Sequence, residues 1–406
     1  MQLTTTSRVR HGAMAGIIAA ALLLAAGCTP GATDPTAPPT ETPAPPTETT
    51  APPDSPKPLT MSAFVAGGSG ADQFSGVAVA GDGSIVTVGY TSSTDGDFLP
   101  SHGKEDALIV KYSPDGAKQW TTTLGGTGFD TLSGVAVAGD GSIIAVGYTA
   151  STDGDFPASG GAMDVLIVKY SPDGTQQWAK TMGGSDIDRF NGVAVAGDGS
   201  IIAVGITSST GGDFPASHGR EDALIVKYGP DGAQAWAKTS GGSDSDYFWG
   251  VAVAGDGSII AVGDTFSPGG DFPRPKGEND ALIVKYAPDG TQQWVKTGGG
   301  SDIDHFVGVA VAGDGGIIAV GQTFSPDGDF APVHGNGDAL MVRYSPDGTQ
   351  DWAKTAGGNE TEGFAGVATA IGGSIITAGW TPSTDGDFPR VHSGDDALLV
   401  IFSPGQ

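Results

Sequence analysis

The chain has a single cysteine, Cys28, among 406 residues. No disulfide and no cysteine-ligated metal site can therefore form within one copy. Positive charge is scarce: 19 Lys and Arg stand against 46 Asp and Glu, a formal net charge of −27. A surface this acidic repels nucleic acid and anionic lipid and keeps a domain soluble, so nucleic acid is not an expected partner. Helical periodicity is missing from residue 59 onward. No Gly-rich phosphate loop opens a helix, which leaves nucleotide binding unsupported. No Ser-His-Asp arrangement carries a nucleophile signature.

What is present begins with an address. Arg8, Arg10 and His11 precede an apolar run from Ala13 to Ala26, which ends at Gly27-Cys28. That layout reads as a secretory signal, too short for a comfortable membrane span. Leu24-Ala25-Ala26-Gly27-Cys28 resembles the lipobox of bacterial lipoproteins. The resemblance implies cleavage before Cys28 and lipid on its sulfur and new amino end. The mature chain is then expected on the outer face of the bacterial cytoplasmic membrane, with the membrane as partner through the lipid anchor. Residues 1–27 read as the signal and 28–58 as the lipidated cysteine with its linker. That linker is Pro, Thr, Glu and Ala with almost no large apolar side chain, so it cannot bury enough surface to fold. At about 3.1 Å per residue it reaches roughly 90 Å as a semi-stiff spacer.

From residue 59 to 406 the chain is one array. GVAVAGDGSIIAVG at Gly134 to Gly147 recurs in six copies, with first valines Val77, Val135, Val193, Val251, Val309 and Val367. Each step is 58 residues (135 − 77, and so on). A fixed period in this range means a repeat architecture. One unit reads as four short strands: FNGVAVA, an Asp-Gly turn, SIIAVGIT, a long polar loop, ALIVKY, a Pro-Asp-Gly turn and AQAWAKT. Continuous apolar runs rich in Val and Ile suit strands buried on both faces. Four antiparallel strands per repeat, stacked radially, predict an all-β, six-bladed β-propeller over 59–406, expected as a monomer. Only five fourth strands follow a third strand. Thr60 to Ala66 is expected to supply the sixth, beside Ala397 to Phe402, and so to cover an exposed sheet edge.

GGSDIDRFNGVAVAGDGSIIAVGITSSTGGDFP, followed by DALIVKYGPDG and a strand ending in Gly-Gly, resembles the bacterial β-propeller repeat family abbreviated SBBP. The similarity covers 59–406. It implies a propeller on an exported bacterial protein and no defined reaction. The family's name refers to seven blades, whereas six are counted here.

Aspartates recur at fixed positions. Asp97, Asp155, Asp213, Asp271, Asp329 and Asp387 precede a Phe, and Asp106, Asp164, Asp222, Asp280, Asp338 and Asp396 start every third strand. Residues present in every blade suit turn capping better than catalysis, since one active site does not need six copies. Calcium is the functional alternative. Asp186 and Asp188, Asp244 and Asp246, and Asp302 and Asp304 pair carboxylates at i, i+2, but without the full acidic-loop signature. Ser171 to Trp178 resembles the Asp box of sialidase-type propellers, with its Gly one place early. The scattered arginines do not form the cluster that sialidase chemistry wants. His102, His218, His334 and His392 share one loop position and suit solvent-facing roles, as does His305.

Variation among the copies points to the functional face. The residue before the recurring Phe or Leu is Gln73, Thr131, Arg189, Tyr247, His305 and Gly363; the one after it is Ser75, Ser133, Asn191, Trp249, Val307 and Ala365. The second strands end in Tyr90, Tyr148, Ile206, Asp264, Gln322 and Trp380. Hairpin reversal puts all of these at one mouth of the ring and the uniform turns at the other. The candidate ligand-binding set is Tyr247, Trp249, Trp380, Tyr148, Tyr90, His305, Arg189 and Asp264, with large aromatic rings suited to sugar faces. The first reading is a non-catalytic module that binds a surface protein or glycan, without cofactor. The alternatives are an enzyme acting on a polysaccharide or cell-wall polymer at the same mouth, and a purely structural surface protein.

Overall fold

The computed structural model describes residues 65–157, 159–330, 332–370, 373–388 and 394–403. The signal, Cys28, the linker and most of the expected closing strand lie outside these. No helix among the described residues is long and apolar enough to cross a membrane.

The chain is a six-bladed β-propeller. Blade 1 is β1 (Asp72–Val79), β2 (Ile85–Thr91), β3 (Asp106–Tyr112) and β4 (Lys118–Leu124); blade 2 is β5 (Asp130–Val137), β6 (Ile143–Thr149), β7 (Asp164–Tyr170) and β8 (Gln176–Met182). Blade 3 is β9 (Asp188–Val195), β10 (Ile201–Thr207), β11 (Asp222–Tyr228) and β12 (Gln234–Ser240); blade 4 is β13 (Asp246–Val253), β14 (Ile259–Thr265), β15 (Asp280–Tyr286) and β16 (Gln292–Gly298). Blade 5 is β17 (Asp304–Val311), β18 (Ile317–Thr323), β19 (Asp338–Tyr344) and β20 (Gln350–Ala356); blade 6 is β21 (Gly363–Thr369), β22 (Ile375–Thr381) and β23 (Asp396–Phe402). Every neighbouring pair within a blade is antiparallel and sequential.

The turns follow from their glycines. Gly257 of the first hairpin and Gly290 of the second have φ of 81° and 83°, the region an Asp-Gly turn requires. The inner strands also depend on glycine. A Cβ on Gly250 would lie 2.8 Å from the Val307 carbonyl oxygen of the next blade, so adjacent inner strands approach closer than a side chain permits.

The core lies between blades rather than within one. At the junction of blades 2 and 3, Ile144, Val146, Val165 and Ile167 pack against Phe190, Leu224, Val226 and Tyr228, with Met182 from the end of β8 beside them. The rim tryptophans span the junctions: Trp120 Nε1 donates to the Pro172 carbonyl and Trp294 Nε1 to that of Pro346, each at 3.3 Å. The recurring aspartates hold the same junctions. Asp155 Oδ2 accepts from Gly125 N at 3.1 Å, and Asp213 Oδ2 from Gly183 N at 3.0 Å.

Blade 6 has three strands among the described residues. Its expected fourth strand lies outside them up to Phe64, and Val65 and Ala66 are not in a strand. From Ala66 onward, however, the chain follows the path of the other inter-blade connections. Ala66 packs with Phe98, Leu108, Val110 and Tyr112, as Met182 does with the matching residues of blade 3. Gly67 N donates to Asp97 Oδ2 at 3.0 Å, matching the Gly183 contact. The two blade faces that flank this seam are open. Leu399 is 61% and Ile401 50% exposed on blade 6, and Phe74 is 40% exposed on blade 1. The counterparts of Phe74, from Leu132 to Phe364, are buried.

Candidate functional site

The positions at which the blades differ are cross-strand partners. Gln73 pairs with Tyr90, Thr131 with Tyr148, Arg189 with Ile206, Tyr247 with Asp264, His305 with Gln322 and Gly363 with Trp380. They sit at the start of the first strand and the end of the second, at one end of each blade. A β-bulge follows immediately: Phe248 pairs with Gly263 and Gly250 with Val262, leaving Trp249 as the extra residue. The bulge brings the backbone so close that a Cβ on Gly263 would lie 1.8 Å from the Tyr247 carbonyl oxygen. Glycine before the last two residues of the second strand is thus what lets the bulge re-aim residue 249.

Blades 3 and 4 hold the densest cluster. Tyr247 and Trp249 stack with ring centroids 5.4 Å apart, and Phe266 meets Tyr247 edge-on. The Arg189 guanidinium lies over the Trp249 ring at 5.6 Å. Tyr247 Oη donates to Glu221 Oε2 at 2.5 Å. Trp249 Nε1 donates to Asp264 Oδ1 at 2.6 Å, and Asn279 Nδ2 donates to Asp264 Oδ2 at 2.8 Å. Burial pushes the Asp264 carboxyl up to about 7, against the pull of those two donors. Burial, then the Glu221 contact, raises the Tyr247 phenol.

The other candidates fall into smaller groups. Tyr90 donates to Gln73 Oε1 at 3.3 Å; burial and then the nearby Glu105 charge raise its phenol. Tyr148 is half-buried close enough to be felt by Tyr90. Trp380 fills the space left by Gly363, where a Cβ would collide with its ring. His305 differs from its expected solvent-facing role. It is buried, and desolvation pushes its pKa down to about 4, so the imidazole is neutral. Asp264 is likewise only 5% exposed and lies behind Trp249 rather than on the surface.

Three contributors were missed in the sequence reading: Glu105, Glu221 and Asn279. They occupy one repeat position, just before the third strand, with Met163 and Gly337 as counterparts. The variability that singled out Tyr247 also marks this position.

The carboxylate pairs considered for calcium are engaged otherwise. Asp188 accepts from Thr207 Oγ1, from Ser209 Oγ at 2.8 Å and from Gly184 N at 2.8 Å; Asp246 accepts from Thr265, Ser267 and Gly242 in the same way. Asp304 accepts from Ser325 and Gly300. Asp186 and Asp244 cap their own loops through Ile187 N and Ser245 N, and Asp302 does so through Ile303 N. Calcium needs six to eight oxygens, and most of these carboxylate oxygens already accept from protein donors, Asp304 Oδ1 being without one. Among the described residues no three acidic, His or Cys groups are placed to hold a metal. His102, His218 and His334 are exposed, each with Nδ1 near the aspartate four residues on, at 3.1, 3.2 and 2.8 Å.

No protein-family model matches the chain. A curated relative, the regulatory protein FlaEY of Caulobacter vibrioides, is 27% identical over 235 residues, covering 50% of this chain and 24% of that protein. The chain thus spans about a quarter of that relative's length. Among solved structures, the β-propeller domain of the Trilobed protease from Pyrococcus furiosus aligns with TM-score 0.42 at 11% identity, covering 81% of this chain and 82% of that one. A protein of unknown function from Bacteroides caccae aligns with TM-score 0.38 at 10% identity, covering 70% and 81%.

Proposed function

We propose that the chain is a lipid-anchored, extracellular binding module whose variable mouth takes a protein or glycan partner and performs no chemistry. The observation that carries this reading is the pairing of the variable positions. Two positions that vary among the copies are cross-strand partners at the same end of every blade, while the turns at the opposite end repeat almost unchanged. A scaffold that repeats everywhere except along one rim suits recognition, because loops on a rigid frame carry function. Hydrolysis of a glycan needs two carboxyl groups reaching substrate from either side. Asp264 is shielded by Trp249, and Glu221 is bonded to Tyr247, which favours binding over that chemistry. The anchor at Cys28 and the linker of 29–58 supply the means of display.

The test is a screen of the full chain against cell-surface proteins and glycans of its host, repeated with the Tyr247→Phe and Arg189→Gln variants. Tyr247→Phe keeps the ring and removes the hydroxyl. Binding that weakens in both variants supports the mouth. Binding that neither variant alters places the partner elsewhere, and the reading fails.

A further inference from the structure

Arg189 stands out in a chain so rich in acid. Arg220 approaches Asp244 Oδ1 at 3.6 Å, and Arg343 reaches both Asp314 and Asp351 at 2.6 and 3.2 Å. Among the described residues Arg189 has no such partner: its side chain makes no hydrogen bond and no ion pair. Its cross-strand neighbour is Ile206, and Glu221 of the same blade accepts from the Tyr247 hydroxyl. Its Nε is buried without an acceptor. An unmet buried donor is costly, so the ion is held in place by something else. That something is Trp249, whose ring stacks on Tyr247 and carries the guanidinium at 5.6 Å. The Trp249 ring is therefore already occupied, and it is the cation rather than the aromatic platform that is left to meet a ligand.

We propose that Arg189 is the ligand-contacting group of the mouth and that it takes a carboxylate. This rests on the reading of the mouth as a binding surface and names the chemistry of what binds there. A planar guanidinium held over an aromatic ring presents its outer N–H groups as a preorganised donor face that matches a carboxylate, and less side-chain freedom is lost on contact. One isolated cation balances one negative charge. A phosphate dianion would call for a second cation, and among the described residues no other Lys or Arg lies over the Trp249 ring. The carboxylate can belong to an acidic sugar or to an amino-acid side chain.

The full chain, isotopically labelled, is titrated with glucuronate and with N-acetylglutamate α-methylamide, each against its neutral counterpart, glucose or N-acetylglutamine α-methylamide, and with inorganic phosphate. NMR follows the Arg189 guanidinium and the Trp249 indole N–H. The Arg189 signal is expected to shift saturably with a carboxylate probe and about tenfold more weakly, or not at all, with its neutral analogue. Arg189→Gln abolishes the response, and Arg189→Lys, which keeps the charge, loses most of it because the fork is gone. The stronger of the two carboxylate probes tells a sugar acid from a peptide acid. Equal responses to charged and neutral probes overturn the proposal, as does a response that survives in Arg189→Gln or no Arg189 response to any carboxylate. A neutral sugar that shifts Trp249 while Arg189 stays silent overturns the carboxylate and leaves the binding mouth standing.

Discussion

The indole of Trp249 donates to the carboxylate of Asp264 at 2.6 Å, so the most conspicuous aromatic residue of the mouth is tied to a buried acid. Among the described residues the other donor on that acid is the Asn279 amide, and no cation pairs with it. The groups that face it are Asp246 at the start of its own blade, which raises its pKa further, and Tyr247 with its partner Glu221. The Arg189 guanidinium lies over the Trp249 ring at 5.6 Å.

Asp264 makes stability depend on pH. Its folded pKa, about 7, lies above the ordinary aspartate value of 3.8, so the folded state binds the proton more tightly than the unfolded one. The cost of burying the charge is absent below the unfolded pKa and grows as pH rises to the folded value. Stability should therefore fall between about pH 4 and 7 by a component that Asp264→Asn removes. A protonated or amidated residue 264 donates toward Asn279, whose own Oδ1 is buried without a partner and can accept if the amide turns. Chemical denaturation of both proteins at pH 5 and pH 8 measures the difference. Equal pH slopes in the two would contradict the assignment.

Trp249→Ala is expected to destabilise the fold as well as alter the mouth. It removes a half-buried ring, the stack on Tyr247 and a donor to a buried carboxylate. The loss should be about 3 kcal/mol or more. Combining it with Asp264→Asn should recover part of that loss, because the acceptor left behind is no longer charged. Read from its variable position alone, Trp249 is a ligand-facing aromatic whose removal should leave the fold intact. A melting temperature unchanged in Trp249→Ala would restore that simpler picture.

The difference between these two pictures shows what was legible. Blade number, strand order and both turn types follow from a period that never slips and from glycines that must have positive φ. The mouth was legible as a set of positions, since Tyr247 and Asp264 disagree with their counterparts. Their burial was not. Strand alternation puts Tyr247 and Trp249 on one side, but the bulge at Trp249 and the inward turn of Asp264 depend on how closely Gly263 admits the Tyr247 carbonyl. His305 illustrates the same limit: a histidine in a variable position reads as a surface donor, whereas packing leaves it neutral and enclosed.

Gly263→Ala tests the bulge. Its Cβ would collide with the Tyr247 carbonyl oxygen, so the bulge must open or the strand pair shift. Gly255 is the matched control, because nothing lies within 4 Å of a Cβ placed there. Gly263→Ala should cost several times more stability than Gly255→Ala, and near-UV circular dichroism should report a changed Trp249 environment only in the former. Similar costs at both sites would mean that the bulge adapts freely.

Lipid attachment gives a prediction outside the described residues. Cys28→Ala should leave the chain unprocessed or release it from the membrane, because two or more acyl chains are what hold a protein durably. Fractionation and mass measurement of the mature amino end decide it. A mature, unlipidated chain that starts beyond Cys28 would refute the anchor.

The last prediction concerns the seam. Ala66 and Gly67 already occupy the places that the end of a fourth strand and its connection take at the other junctions, through the packing on Leu108 and Val110 and the Gly67–Asp97 hydrogen bond. On the other side of the seam, β23 has no further strand beside it among the described residues, and Leu399 and Ile401 are half or more exposed where counterparts in other blades are covered. Ile401 stands where Lys111, Lys169, Lys227 and Lys285 reach across to the next blade's Pro carbonyl, so the last blade presents an apolar face where the others present a cation. An apolar face beside an unpaired strand edge would be an aggregation hazard, which a covering amino-terminal strand removes. Deleting residues 59–67 should therefore lower the melting temperature and produce concentration-dependent association, whereas deleting 29–58 should do neither. Adding Leu399→Lys and Ile401→Lys to the 59–67 deletion should suppress the association without restoring the melting temperature, because charge protects the exposed face but replaces no strand. A 59–67 deletion that melts and sediments like the intact chain would mean that the last blade needs no fourth strand from the amino end.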